Sequence, residues 1–170
     1  MSRRGIATAL IALAAVAALV ATEIATSGSV KPRPAPPLPT QVLNPPRVDL
    51  AELRGKPAFV NFWASWCHPC EQEAPELERF ARGLHGRARL VGVDWGDDLG
   101  NARAFVREHR WTFPVLRDGS DQVGNSYGLG GLPTTFVLDE GGRIVETLRG
   151  PQTQADLEGA LRSVDETEAR

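Results

Sequence analysis

Two short apolar runs, KPAFVNFW at residues 56–63 and ARLVGVDW at residues 88–95, bracket about 25 residues of helical character. That succession constrains the fold more than any other feature of the chain. Each run is rich in branched and aromatic residues, lacks strict polar alternation and is too short for a helix, which suits a strand buried on both faces. Between them, Ala74, Leu77, Phe80, Ala81 and Leu84 recur at helical spacing, with Gly86 just past the end, so a helix is expected from about Pro69 to Leu84. Asp98 can cap a second helix over Leu99 to Arg110, whose apolar face includes Ala102, Phe105 and Val106. FPVLRD then reads as a strand, Gln122 to Tyr127 as a short helical piece, and TTFVLD with RIVETLR as a hairpin turning at Glu140-Gly141-Gly142. A last helix is expected from Thr153 to Val164. The order is strand, helix, strand, helix, strand, followed by a hairpin and a helix. It implies an α/β sandwich in which right-handed crossovers join parallel strands and antiparallel strands extend the sheet.

The segment before Arg47 has a different character. Arg3 and Arg4 precede an uncharged run of 18 residues from Gly5 to Thr22. A basic start and an apolar run direct a chain into a membrane with the arginines on the cytoplasmic side. Residues 1–28 are therefore expected to be an anchor or signal peptide. Cleavage after Ser27 would give a secreted protein, and an uncut segment a single-pass one. Seven of the chain's 13 prolines fall between Pro32 and Pro46. Residues 29–46 accordingly read as an extended linker holding the domain about 45 Å from its attachment point. The folded part is expected over residues 47–165, with 166–170 as a tail. In either case the domain lies outside the cytoplasm, where disulfides persist. From Arg47 onward 15 basic and 20 acidic side chains give a formal charge of −5, with no basic patch interleaved with aromatics. Nucleic acid is therefore not an expected partner.

The only two cysteines, Cys67 and Cys70, lie in WASWCHPC, where the first strand gives way to the first helix. About 120 residues can bury a core without a disulfide staple, and a bridge across three residues closes too small a loop to stabilise much. A c-type haem tether needs histidine after the second cysteine, but residue 71 is Glu. A zinc site would need two further ligands, and only His68, His85 and His109 are on offer, at no recognised spacing. No resident metal or cofactor is expected. A peroxidase reading lacks an isolated cysteine with threonine upstream and arginine downstream. What fits the position is a redox dithiol. The unpaired N–H groups and positive dipole end of a helix N-terminus stabilise a Cys67 thiolate, and Cys70, one turn on, can resolve a mixed disulfide. Pro69 removes an N–H that the first turn leaves unsatisfied anyway. His68, when protonated, would lower the Cys67 pKa further. Cys67, Cys70 and His68 could also serve as soft ligands in Cu(I) delivery.

The stretch DLAELRGKPAFVNFWASWCHPCEQEAPELERF closely resembles the membrane-tethered, extracytoplasmic thioredoxin-like proteins of the TlpA/ResA and CcmG (DsbE) group. GLPTTFVLDEGGRIVETLRG resembles the cis-proline loop and hairpin of the same group. The resemblance covers about residues 47–163. It implies a thioredoxin-like three-layer sandwich with a central mixed sheet, flanking helices, an N-terminal hairpin and a strand–helix insertion, the last resembled by residues 91–116. By the same resemblance Cys67 is the exposed nucleophile, Cys70 the resolving thiol and Pro133 the cis-proline facing the disulfide. Leu132 would offer its main chain to a client strand, Trp66 would flank the nucleophile, and Pro75 would kink the active-site helix. Asn61 occupies the position where cytoplasmic thioredoxins carry a buried aspartate and cannot take a proton. Glu73, three residues after Cys70, resembles the acidic residue that many of these proteins place near the cysteines, and could accept the proton of the resolving thiol. The activity implied is thiol:disulfide exchange with a disulfide-bearing client, apocytochrome c being the family's example, fed by a membrane thiol donor. A disulfide-forming oxidase or isomerase is the other direction of the same chemistry, and His68 leans toward it.

Overall fold

The computed structural model describes residues 31–169. The expected membrane segment, residues 1–28, lies outside the described residues. Among those described, no helix is long and apolar enough to cross a membrane.

Seven strands form one mixed sheet: β1 (Arg33–Pro34), β2 (Gln41–Asn44), β3 (Ala58–Trp63), β4 (Arg89–Trp95), β5 (Val115–Asp118), β6 (Thr134–Leu138) and β7 (Arg143–Arg149). Their order across the sheet is β1-β7-β6-β3-β4-β5-β2. Helices α1 (His68–Gly83), α2 (Leu99–Glu108), α3 (Gln122–Tyr127) and α4 (Gln154–Glu168) complete the fold. β3, β4 and β5 run parallel, while β6 is antiparallel to β3 and β7 to β6.

β3 is central and wholly buried because each of its faces meets a different apolar layer. Phe59 and Trp63 point into the core shared with Leu77 and Phe80 of α1, Phe105 of α2 and Leu157 and Leu161 of α4. Ala58, Val60 and Phe62 point into the opposite core, with Leu53, Val91, Leu116, Tyr127 and Phe136. The result is the α/β sandwich that the strand–helix succession implies, in the three-layer form that the resemblance implies. Asp98 caps α2 by accepting the Gly100 and Asn101 N–H groups at 2.8 and 3.2 Å. In the β6–β7 turn Gly142 takes a φ of +76°, a conformation that side chains disfavour, while the Asp139 carboxylate accepts the Arg143 N–H at 2.8 Å. α4 continues to Glu168, so most of the expected tail is helix.

The proline-rich stretch departs from expectation. Residues 32–46 are no stalk: β1 pairs with β7 and β2 with β5, and Ala35 and Leu38 between them are buried. The Tyr127 hydroxyl donates to the Pro36 carbonyl at 2.9 Å and fastens the crossing segment to the layer. The physical reason is that both strands lie at sheet edges, where a residue without an N–H donor is tolerated. Leu38, Val42 and Leu43 supply apolar contacts that the proline density obscured. The expected N-terminal hairpin is also replaced, because β1 and β2 take opposite edges of the sheet and do not pair with each other.

Candidate active site

Helix α1 begins at His68 with Cys67 as its N-cap. Cysteine is an uncommon cap, and here its sulfur acts as one: the Cys70 N–H donates to Cys67 Sγ at 3.2 Å. The same N–H also donates to the Cys67 carbonyl at 2.9 Å, so a first-turn donor is shared with the sulfur, an arrangement that favours a thiolate when the pair is reduced. Pro69 lies in the first turn, as its missing N–H allows, and α1 runs unbroken through Pro75. Cys67 and Cys70 are joined as a disulfide. Cys67 is less open than an exposed nucleophile would be, at 5% accessible against 2% for Cys70. Trp66 beside it is 60% accessible and is the one large hydrophobic exposed among the described residues.

His68 projects into solvent, and its Nδ1 lies 3.4 Å from the Glu71 carboxylate on the same helical turn. Any positive charge on the imidazole is therefore partly matched by an anion before it reaches the sulfur.

Pro133 follows a cis Leu132–Pro133 bond at the start of β6. Register places it: Thr134 pairs with Phe62 near the end of β3, just before the cysteine loop leaves the sheet. The proline loop and the cysteine loop are therefore at the same end of the sheet. Pro133 is buried, its carbonyl accepts the Gly150 N–H at 3.0 Å, and Leu132 is half-buried at the rim.

One turn beyond Cys70, Glu73 is 1% accessible. Its Oε2 accepts from Asn61 Nδ2 at 3.0 Å and its Oε1 from the Gln152 N–H at 3.0 Å. Burial pushes its pKa up to about 7, the two hydrogen bonds opposing that rise. Asn61 also donates to Thr135 Oγ1 at 2.9 Å, so a single amide ties the cysteine helix to the strand that follows the proline. Its own Oδ1 is buried without a partner. Thr135 and Gln152 are members of the site that the sequence reading missed. Their place depends on the 61↔135 register and on the β7–α4 connection, neither of which leaves a local signal. Glu73 itself is singled out by the resemblance to the TlpA/ResA group, and its burial emerges only from the packing.

Chemically the arrangement offers a sulfur at a helix N-terminus, a second sulfur one turn inside, and a buried carboxyl able to change protonation near neutral pH. Among the described residues no group of three or more His, Cys, Asp or Glu is placed to hold a metal ion.

Residues 33–147 match the AhpC/TSA family. The chain is 37% identical over 116 residues to the thiol-disulfide oxidoreductase ResA of Geobacillus thermodenitrificans (strain NG80-2), covering 68% of this chain and 67% of that one. It is 34% identical over 119 residues to ResA of Bacillus thuringiensis (strain Al Hakam), covering 69% of each. Among solved structures, a DsbF homologue from Corynebacterium diphtheriae superposes with a TM-score of 0.71 at 26% identity, over 78% of this chain and 87% of that chain. A secreted Mycobacterium tuberculosis disulfide oxidoreductase homologous to E. coli DsbE gives 0.66 at 26% identity, over 74% and 95%. With the fold, the Cys67–Cys70 pair and these similarities together, the chain belongs to the AhpC/TSA family and, within it, to the thioredoxin-like thiol:disulfide oxidoreductases of the ResA and DsbE kind.

Proposed function

We propose that this oxidoreductase is a membrane-tethered extracytoplasmic reductant, drawing electrons from a membrane thiol donor and passing them to a client Cys-x-x-Cys disulfide such as that of apocytochrome c. The reducing direction is supported by the Glu71 carboxylate 3.4 Å from His68, which blunts the cation a disulfide-forming oxidant would rely on. The buried Glu73 carboxyl, one turn from Cys70, supplies the proton acceptor for the exchange. In the reduced protein the Cys67 thiolate attacks one client sulfur, a mixed disulfide forms, and the client's other sulfur leaves as a thiolate. Cys70 then loses its proton to Glu73 and attacks Cys67 Sγ. The Cys67–Cys70 bond closes, the second client thiol departs, and two electrons have moved to the client. Pro133 presents no N–H toward the sulfurs, while the main chain at Leu132 is free to pair with a client strand. Trp66 supplies the exposed apolar contact beside the attacking sulfur.

The opposite direction, disulfide formation, leans on His68 as a cation stabilising the thiolate. The Glu71 carboxylate at 3.4 Å weakens that support. The reduction potential of the Cys67–Cys70 pair tests the proposal. A value near or below about −220 mV supports a reductant, and a value near −120 mV, that of a dedicated oxidant, overturns it. Glu73→Gln is expected to slow reduction of a Cys-x-x-Cys-His peptide disulfide and to shift the pH dependence of Cys70. If neither changes, Glu73 has no part in the proton transfer.

A further inference from the structure

Behind the cysteine loop lies a second buried polar group that the exchange steps above do not use. The turn after β4 presents Asp97, 7% accessible, to the residue two before Cys67. Asp97 Oδ2 accepts the Ser65 backbone N–H at 2.6 Å and Oδ1 accepts the Ser65 hydroxyl at 2.9 Å. The adjacent Gly96 carbonyl faces the Trp66 indole N–H at 3.4 Å. Two consecutive residues of the WCHPC approach thus hang on residues 96–97.

That turn is in turn held from β5. Arg117 Nη2 donates to the Asp97 main-chain carbonyl at 2.7 Å, and its Nε lies 3.4 Å from Asp94 Oδ2. Asp94 is fully buried and neither of its oxygens accepts a hydrogen bond, so the guanidinium is its only nearby compensation among the described residues. Burial, with Asp97 close by, raises its pKa to about 7. A buried pair set against the back of a reactive loop is a costly way merely to close a turn.

We propose that Asp97 is a positioning residue for thiol–disulfide exchange: its carboxylate fixes Ser65, and through it Trp66 and Cys67, while its charge opposes the build-up of negative charge on the Cys67 sulfur. The inference rests on Cys67 being the attacking thiol. Two residues of chain reach at most about 7 Å, so with the 2.6 Å hydrogen bond the Asp97 carboxylate lies within about 10 Å of the Cys67 main-chain nitrogen, a distance comparable to one screening length at low salt. The other charged groups near that sulfur are His68, Glu71 and Glu73 on α1 and Arg149 beside the proline loop. Asp94 and Arg117 face Asp97 from β4 and β5, and the Asp121 carboxylate faces the same turn at Gly96. An anion fixed behind a helix N-terminus offsets part of the thiolate stabilisation, which keeps the reduced pair reactive as a donor of electrons.

The test is the pH dependence of Cys67 alkylation by iodoacetamide in the reduced protein, with the labelled cysteine mapped by mass. Asp97→Asn keeps the shape and both links, since the amide oxygen can accept the Ser65 N–H and the Ser65 hydroxyl can accept from the amide nitrogen. Its ionisation limb is expected to move down by roughly half a pH unit or more. Ser65→Ala retains the charge and the backbone link, and its limb should stay in place. Asp97→Ala removes both links, and exchange with a disulfide peptide should slow by roughly tenfold. An Asp97→Asn limb superimposable on the wild type, or Asp97→Ala exchanging at the wild-type rate, overturns the proposal. If the label instead falls on Cys70, it is the assignment of the attacking thiol that fails.

Discussion

Replacing Glu73 by glutamine should stabilise the oxidised protein at alkaline pH and leave it unchanged in acid. Glu73 titrates near 7 in the folded chain against 4.5 for an unperturbed glutamate, a difference of about 2.5 pH units. At 1.36 kcal/mol per unit that is about 3 kcal/mol. The sign follows from proton binding. Between pH 4.5 and 7 the unfolded chain has released this proton while the folded chain still holds it, so stability is fullest below 4.5 and is lost as the pH rises through 7. Above 7 the whole penalty of burying the carboxylate is present. Glutamine mimics the protonated form: its oxygen can accept the Gln152 N–H, and its amide nitrogen would meet Asn61 Nδ2, donor against donor. Rotating the Asn61 amide removes that conflict by bringing round Oδ1, which can also accept from the Thr135 hydroxyl, and leaves Nδ2 in the unpartnered place, which trims the gain. The expected gain at pH 8 is about 1–3 kcal/mol, with no difference near pH 4. Urea unfolding of both proteins from pH 4 to 8.5, followed by tryptophan fluorescence, measures it. Asp94 contributes a pH dependence of the same sign, so the wild-type curve falls more steeply than Glu73 alone requires, and the variant removes only part of the slope. Parallel curves for the two proteins across this range, or a variant no more stable than wild type at pH 8, would show that burying the Glu73 carboxylate costs the fold nothing.

Two further perturbations address the fold. A fragment beginning at Arg47 loses β1, β2 and the buried Ala35 and Leu38, and should unfold at least about 3 kcal/mol more easily than one beginning at Lys31. Equal urea midpoints would show that the crossing segment contributes nothing. A side chain at Gly92 would place its Cβ within 3.4 Å of Trp63, Phe113 and Val115, so Gly92→Val should cost about 1–3 kcal/mol in thermal or urea unfolding.

Hydrophobic periodicity made β3, β4 and the hairpin legible because each is a continuous apolar run with turn residues at its ends. It made α1 and α2 legible because their buried faces repeat at helical spacing. The same reasoning failed at residues 32–46. Proline density is a local property, whereas an edge strand depends on a partner remote in sequence, here β7 for Arg33 and β5 for Val42. The site divides along the same line. Cys67 and Cys70 sit at a fixed spacing where strand gives way to helix, and a short motif shows them, while Glu73 is picked out of a row of acids only by the resemblance. Asn61 was visible only as a departure from a pattern, and its link to Thr135 needed the register of β6. Asp97 resembled any other acid in a charged turn until the Ser65 hydrogen bonds gave it a direction.

The strap formed by residues 33–44 also sets an order of events and a direction of weakness. Both rims of the sheet are sealed by the earliest of the described strands, yet Arg33 pairs with Ile144, which emerges from the ribosome more than a hundred residues later. Until that distant hairpin arrives, β1 has nothing to zip onto, and closure of the sheet waits on contacts of high sequence separation. Once closed, both exposed rims are capped by short, proline-flanked strands, a poor template for a neighbouring molecule to add to. A pull applied ahead of residue 33 would be felt first by the two residue pairs of β1 against β7, at the rim. The cysteine helix, packed across the middle of the sheet, would be spared until that rim had peeled away.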